Sequence, residues 1–384
     1  RCTPSGRTFF PPRTYNVSVR GTSFIIPRLA TLMRNSKPFR YRFIIVSVAL
    51  IAIVTGCVQQ GASEFPLSEH YDGQHFRNRD GSDKSLFDVF KMLLGSLNEA
   101  EDWPESVPNP EHDAIVGAVE SGIRVTYINH STVLLQVDGL NILTDPVYSD
   151  RASPVSFAGP RRVRAPGIAL AELPPIDVIL ISHNHYDHLD TETMQGILRQ
   201  QKTPPVVIAG LGNGALIRGL GFSDVRELDW NTGADIGDVG IHFVECQHRS
   251  GRGLFDQMAS LWGSFVLETS AGRIYFAGDS GYSPHFKEQG AEWGPFTLAL
   301  LPIGAYEPRW FMADIHLNPE EAVKAHQELR SKQSLAIHYG IFQLTYEGID
   351  EPLEDLRAAL DQQGLDRAAF WTLEPGQYRT IDPD

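Results

Sequence analysis

The chain has 384 residues, 42% of them hydrophobic, enough to build a large buried core. Its 47 acidic and 33 basic residues give a formal net charge of −14, which lacks the basic footprint needed for non-specific nucleic-acid binding, so nucleic acid is not an expected partner. Three cysteines exclude a disulfide framework.

Charge changes sign along the chain. Residues 1–56 hold nine Lys/Arg and no Asp or Glu, which marks a targeting segment rather than part of a fold. From Met33 the order is that of a signal peptide: Arg34, Lys37, Arg40 and Arg42 precede an apolar stretch from Phe43 to Val54 that is short for a bilayer span. Val54-Thr55-Gly56-Cys57 resembles a bacterial lipobox. The expectation is a signal peptide over 33–56, cleavage before Cys57 and lipid on its thiol, with a signal anchor and an incidental Cys as the alternative. The implied location is the bacterial cell envelope, on the outer membrane facing the periplasm. Residues 1–32 show no regular hydrophobic period and precede Met33, so they are expected to be untranslated or disordered.

Residues 57–82 are polar and Gly-rich and read as a tether. Leu86, Phe87, Phe90, Leu93, Leu94 and Leu97 have helical spacing, with core packing the expected role and a lid or membrane-facing role the alternative. Trp103-Pro104 and Pro108-Asn109-Pro110 break the chain, closing a 57–110 segment before the main domain, 111–384.

Strands follow at Arg124–Ile128, Thr132–Val137 and Asn141–Leu143, with Asp138-Gly139 as a hairpin turn. A buried strand ends at Ile181. Then strands alternate with helices: Thr191–Gln201, Val206–Ala209, Asn213–Leu220 and Val225–Leu228. A second strand-rich stretch runs from Ile241 to Ala277, and Asn318-Pro319-Glu320-Glu321 opens a helix to about Leu329. Two strand-rich halves with interspersed helices predict an α/β fold of two sheets face to face with helices outside.

The strand ending at Ile181 runs into His183-Asn184-His185-Tyr186-Asp187-His188, four ligand-type side chains in six positions. His183 and His185 point the same way in an extended backbone and can grip one ion. Asp187 and His188 need the chain to turn and would face a second. Imidazole with carboxylate suits zinc, with iron or manganese as alternatives. His248, Asp279 and His338 each follow a short apolar run and are candidate further ligands; the alternative is a capped loop histidine, or for Asp279 a turn former in Gly278-Asp279-Ser280-Gly281. Cys246, two residues before His248, is read as a small strand residue, with a ligand role as the alternative.

HxHxDH with later His, Asp and His resembles the metallo-β-lactamase superfamily. Asn129-His130-Ser131-Thr132, Leu143-Thr144-Asp145-Pro146, Arg151-Ala152-Ser153-Pro154, Cys246-Gln247-His248, Phe276-Ala277-Gly278-Asp279-Ser280-Gly281-Tyr282 and Pro302-Ile303-Gly304-Ala305-Tyr306-Glu307-Pro308-Arg309-Trp310-Phe311-Met312 resemble its branch of N-acylphosphatidylethanolamine-hydrolysing phospholipases D. The resemblance implies a four-layer αββα sandwich of two mixed sheets. It also implies one metal on His183, His185 and His248, another on Asp187, His188 and His338, and Asp279 between them. Asn129 departs from the Gly usual in the branch, which bears on the shape of that loop.

The expected reaction is phospholipase D-type hydrolysis of a lipid phosphodiester by a hydroxide held between two zinc ions, with Asp187, His188, Asp279 and His316 as the catalytic set. Asp145 is a candidate acceptor for a ligand imidazole or a turn former before Pro146, and His130 a cleft-rim or core histidine. Tyr306, Arg309, Trp310 and Arg252 are candidate substrate contacts, and Arg309 is alternatively an ion-pair partner of Glu307 or another carboxylate. A lipid or small molecule is the expected substrate, the lipid anchor would bind the membrane, and a homodimer is kept open. Alternatives are a lactonase-like hydrolase and a non-catalytic metal-binding envelope lipoprotein.

Overall fold

A computed structural model describes residues 65–80, 84, 86–111, 119, 121–253 and 255–383; Cys57, the signal segment 33–56 and residues 1–32 lie outside the described residues. The first sheet is built from β1 (Ile123–Asn129), β2 (Thr132–Val137), β3 (Leu140–Thr144), β4 (Val178–Ile181), β5 (Val206–Gly210), β6 (Val225–Leu228) and β14 (Tyr378–Ile381), in the order β14-β1-β2-β3-β4-β5-β6. The second takes β7 (Thr232–Ile236), β8 (Val239–Val244), β9 (Ser264–Thr269), β10 (Gly272–Phe276), β11 (Leu298–Pro302), β12 (Gln333–Ile337) and β13 (Phe370–Trp371), in the order β13-β12-β11-β10-β9-β8-β7. Each sheet starts as an antiparallel meander and continues as parallel strands. This is the expected mixed-sheet sandwich.

Local chemistry accounts for the elements. Asp138 (φ +51°) and Gly139 (φ +75°) supply the two left-handed residues of the β2–β3 hairpin. β4 is apolar at every position because both its faces are covered. Val178 and Leu180 enter the core between the sheets, while Ile179 and Ile181 meet Met194 and Ile197 of helix Thr191–Gln200 on the outside. Asp190 caps that helix by accepting from the Glu192 amide at 3.1 Å. Helix Pro319–Glu328 begins with a capping box of Asn318 and Glu321 and Pro at its start. With Phe286 of helix His285–Glu292 and Leu356 and Leu360 of helix Glu351–Gln363, it covers the outer face of the second sheet.

The topology sets the site. β2 is antiparallel to β1 and β3, so β1, β3 and β4 all run the same way; β9 likewise leaves β8, β10 and β12 aligned. His130, Asp145 and His183 follow the C-terminal ends of the first set, and His248, Asp279 and His338 follow those of the second. Outside the carboxyl ends of aligned strands is where open α/β sheets bind ligands.

Residues 65–80 correct the expectation of a tether. Tyr71 and Phe76 are buried in the core between the sheets, and His70 stacks on Trp230 with its Nε2 2.7 Å from Asp229. Its polar residues surround two apolar anchors, which is why its composition resembles a linker. Asn78 ties it to the main domain: its Oδ1 accepts from the His248 amide (3.2 Å) and from Trp262 Nε1 (3.0 Å), and its Nδ2 donates to the His248 carbonyl at 2.7 Å. Asn78→Ala is expected to cost roughly 1–3 kcal/mol by leaving the His248 amide and carbonyl without this partner, while Trp262 Nε1 keeps the Cys246 carbonyl at 3.2 Å. Chemical denaturation measures this; an unchanged midpoint would show the segment to be energetically independent.

Helix Leu86–Glu99 forms where its spacing predicts, with Val89 and Met92 packed against Phe311 and Met312. Among the described residues no helix is long and apolar enough to cross a membrane.

Candidate metal centre

The turn from β4 into helix Thr191–Gln200 folds the HxHxDH stretch back on itself: the amides of His188 and Leu189 donate to the His185 carbonyl at 3.1 and 2.9 Å. His183 Nε2 and His185 Nδ1 thereby come within 2.8 Å, and His248 Nε2 lies 3.3 Å from the same His185 nitrogen. These three rings form one group able to hold an ion. A second group joins His130, Asp187, His188 and His338; Asp187 Oδ2 is 3.0, 3.5 and 3.4 Å from the Nε2 atoms of His130, His188 and His338. Asp279 Oδ2 stands between the groups, 3.1 Å from His188 and His338 Nε2, 3.9 Å from His183 and 3.8 Å from His248.

Supporting contacts fix the rings. His188 Nδ1 lies 2.7 Å from Asp145 Oδ2, and Asp145 also accepts from the Ser182 amide (2.8 Å) and hydroxyl (2.5 Å). His248 Nδ1 donates to the Ile315 carbonyl at 2.8 Å, leaving Nε2 as the nitrogen aimed inward. Asp145 is therefore the imidazole acceptor of the two readings given for it. His130 is buried beside Asp187, its ring 3.9 Å from that of His338, rather than on an open rim. Cys246 is not in these groups; its thiol is buried and donates to the Asp279 carbonyl at 3.4 Å.

The donor set fits a divalent cation. His188 Nε2, His338 Nε2 and Asp279 Oδ1 are buried with no hydrogen-bond partner, an arrangement that is costly unless an ion engages them. Electrostatics agree. Burial pushes the Asp279 and Asp187 carboxyls upward, but the His188 imidazole and its neighbours hold both well below the usual carboxylate range. Burial opposes charge on His188 and His338, yet the carboxylates raise the first well above its usual value and the second to about 9. Burial lowers His185 to about 4 and His130 to about 3. The cluster thus concentrates anionic carboxylates that draw positive charge, a proton on His188 and His338 where no ion supplies it, beside the His183, His185 and His248 rings that burial keeps neutral.

The centre forms one wall of an open pocket. His185, Tyr186, Asp187, Asp279 and His316 face it, and Met92, Ala305, Phe311, Met312 and Leu344 give it an apolar side. His316 Nε2 is 3.9 Å from Asp279, and burial lowers its ring to about 3, so the ring is neutral at physiological pH.

The other expected substrate contacts are placed differently. Arg252 lies over the Tyr186 ring at 4.0 Å and donates to the carbonyls of Asn184 (2.8 Å) and Leu189 (2.7 Å), bracing the HxHxDH turn. Arg309 pairs with Glu321 at 2.7 Å and donates to the His316 carbonyl at 3.0 Å, taking the structural alternative with a carboxylate other than Glu307. Tyr306 donates to Asp355 at 2.7 Å, and Trp310 is surface-exposed with Lys91 over its ring. The 302–312 block reaches the pocket through Ala305, Phe311 and Met312 instead, side chains with no polar signal to single them out. Glu347 also escaped the sequence reading: its carboxylate accepts from the Ala305 (2.6 Å) and Glu307 (3.1 Å) amides and holds that block in place.

His285 is a further buried histidine: its Nδ1 is 2.5 Å from Ser283 Oγ, and burial, with Arg79, lowers the ring from 6.5 to about 3. As pH falls below about 6.5 the unfolded chain takes up a proton that folded His285 refuses, so the stability this ring contributes is complete above that pH and is lost toward pH 3. His285→Gln is expected to flatten the acid limb by up to about 2–3 kcal/mol between pH 7 and 4.5. Denaturant midpoints of both proteins at the two pH values decide it; parallel pH profiles would assign the acid sensitivity elsewhere.

A two-sheet sandwich with a His/Asp cluster at the strand ends defines the class of metal-dependent hydrolases. The profile of the β-lactamase superfamily domain matches residues 140–339. The N-acyl-phosphatidylethanolamine-hydrolyzing phospholipase D 1 of Caenorhabditis elegans is 39% identical over 319 residues, 77% of this chain and 88% of that protein. Outer membrane protein RomA of Klebsiella pneumoniae is 42% identical over 100 residues, 26% of this chain and 74% of that protein. The crystal structure of a possible metal-dependent hydrolase from Veillonella parvula superposes with a TM-score of 0.56 at 15% identity, covering 68% of this chain and 100% of that one. The chain belongs to the metallo-β-lactamase superfamily and is a metal-dependent hydrolase.

Proposed function

We propose that the chain is a dinuclear zinc phosphodiesterase of phospholipase D type acting on N-acylphosphatidylethanolamine-like lipids. The observation that carries the reading is the convergence of two imidazole-rich groups on Asp279 at the wall of a half-apolar pocket. His183, His185 and His248 would hold one ion and Asp187, His188 and His338 the other, with Asp279 shared. Bound zinc supplies Lewis acidity and a water acidic enough to deliver hydroxide near neutral pH.

The chain's own groups orient and bind. Asp145 and the Ile315 carbonyl lock the tautomers of His188 and His248. Neutral His316, facing the pocket, can donate a hydrogen bond to a phosphoryl oxygen as charge develops there. Met92, Phe311, Met312 and Leu344 offer an apolar wall to an acyl chain. Attack at phosphorus breaks the bond to the ethanolamine oxygen, which leaves with a proton as N-acylethanolamine, and phosphatidic acid remains. The 39% identical phospholipase D relative supports this substrate class. Cleavage before Cys57, after a signal peptide over 33–56, would place the main domain, 111–384, at the envelope membrane.

Metal analysis of the purified protein, followed by product analysis with N-acylphosphatidylethanolamine, tests the reading. Two zinc ions per chain and release of N-acylethanolamine are expected. A fully metal-loaded protein that leaves the lipid intact overturns it.

A further inference from the structure

We propose that His130, which lies outside the ligand set, is a positioning residue that frames the ion site of Asp187, His188 and His338 from both sheets. The inference deepens the dinuclear reading above and rests on it. His130 follows β1 and His338 follows β12, so the two residues stand at strand ends of opposite sheets. The His338 amide donates to the His130 carbonyl at 2.9 Å, and the two rings lie 3.9 Å apart. Both residues take left-handed backbone, φ +48° at His130 and +61° at His338, a conformation that a residue with a Cβ adopts at a cost. This pair of turns brings the two imidazoles together beside Asp187.

The hydrogen bond of the His130 ring has one direction. Its Nε2 is 3.0 Å from Asp187 Oδ2, and Asp187 is its one carboxylate partner among the described residues. Its Nδ1 is buried with no partner. A neutral imidazole carries a single N–H. Placed on Nδ1, that hydrogen would be a buried donor with nothing to accept it, and the Nε2 lone pair would face a carboxylate. Placed on Nε2, it donates to Asp187 and leaves only an idle lone pair, the cheaper arrangement. Phe342, edge-on at 5.3 Å, and the His338 ring hold the imidazole in this pose. His183, His188, His248 and His338 converge on Asp279 Oδ2 within 4 Å, whereas His130 approaches Asp187 from outside that circle. His130 is thus a donor to a ligand and not itself a ligand.

Donation to Oδ2 fixes the rotation of a carboxylate carried on a turn, so Asp187 presents one orientation to a cation. The carbonyl contact fixes the backbone of a second ligand, carried by the other sheet. One residue therefore sets the spacing of Asp187 Oδ2 and His338 Nε2, which stand 3.4 Å apart. The other group is braced elsewhere: His183 Nδ1 lies 3.0 Å from the Ser182 hydroxyl, and His248 Nδ1 donates to the Ile315 carbonyl. Loss of His130 should loosen one ion and spare its neighbour.

His130→Phe keeps a ring of similar size without the donor, and His130→Gln returns an N–H near the place of Nε2. The full chain in each form is loaded with zinc, and competition with a chelator reads the affinity of each ion. Turnover of a soluble monomeric phosphodiester is followed with and without added zinc. In His130→Phe one ion is expected to bind roughly 10- to 100-fold more weakly and the other as in wild type, with His130→Gln recovering most of the loss. Turnover should fall with the weakened ion and return when zinc is added. Equal weakening of both ions, unchanged affinity for both, or a His130→Gln variant no better than His130→Phe overturns the proposal. If His130→Phe does not fold, His130→Asn, whose shorter amide falls short of Asp187, takes its place in the comparison. Wild-type protein that binds a single ion removes the dinuclear reading; the role of His130 then stands only if the donor-less variant loosens that ion and His130→Gln restores it. Wild-type protein that binds two ions and leaves phosphodiesters intact removes the proposed reaction, and the chelator competition still decides for or against His130.

Discussion

Asp279→Ala is expected to lower phosphodiester hydrolysis by on the order of a thousandfold or more and to empty the centre of metal. Among the described residues its Oδ2 is the one carboxylate oxygen within 4 Å of His183, His188, His248 and His338 together. Removing it leaves four buried rings around a void, with Asp187 on one side and Asp145 on the far nitrogen of His188. The two ions proposed would bring four positive charges to this centre, so losing half of the directly facing carboxylate charge would strike affinity and rate together. Metal-to-protein ratio after gel filtration and turnover of the soluble ester are the two readings. A variant that kept both ions and ordinary turnover would show that Asp279 does not join the groups. Asp187→Ala and His188→Ala, which each empty one group, should resemble it.

Asp145→Ala is expected to weaken metal binding about 10- to 100-fold although Asp145 faces no ion. Its carboxylate, wholly buried, is pushed upward by burial and drawn back by His188 and Ser182. Without it His188 Nδ1 and the Ser182 amide lose their partner, and His188 is freed to turn its ring or to place its proton on the wrong nitrogen. Asp145→Asn separates the two effects: it can still accept from Ser182, but its amide can as well donate toward the ring and favour the other tautomer. Competition with a chelator of known affinity gives the loss for each. Equal wild-type affinity in both would reduce Asp145 to a turn former before Pro146.

The sequence made the centre legible because a ligand set is a local pattern. HxHxDH lies within six residues, and His248, Asp279 and His338 each follow an apolar run that becomes β8, β10 or β12. The strands were readable for the same reason: β2 and β6 keep their predicted bounds, β2 because its side chains alternate between two covered faces. What stayed hidden depends on distant partners. Nothing local in Asn78 announces the His248 backbone, 170 residues on, and nothing in Glu347 announces the Ala305 amide. Arg309 and Arg252 show the opposite error. A guanidinium near a site suggests a phosphate, yet both spend their donors on carbonyls and carboxylates of the loops that shape the pocket. Helix Glu351–Gln363 and strand β14 close the fold from the C-terminus, and their weak patterns gain meaning only beside the sheets they cover.

The strand-end placement of the ligands has a consequence for how the molecule holds together. His183, Asp187 and His188 follow a strand of one sheet and His248, Asp279 and His338 strands of the other, so an ion held among them would be a cross-link between two halves of the chain, from residue 183 to residue 338. It acts on the unfolded ensemble as a clamp across a long loop would, and its binding free energy adds to that of folding. Such a clamp cannot close until both halves are built, which makes it a late event of high contact order. Loss of metal would then do more than silence the enzyme: it would unlock the seam between the sheets and expose the chain to proteolysis.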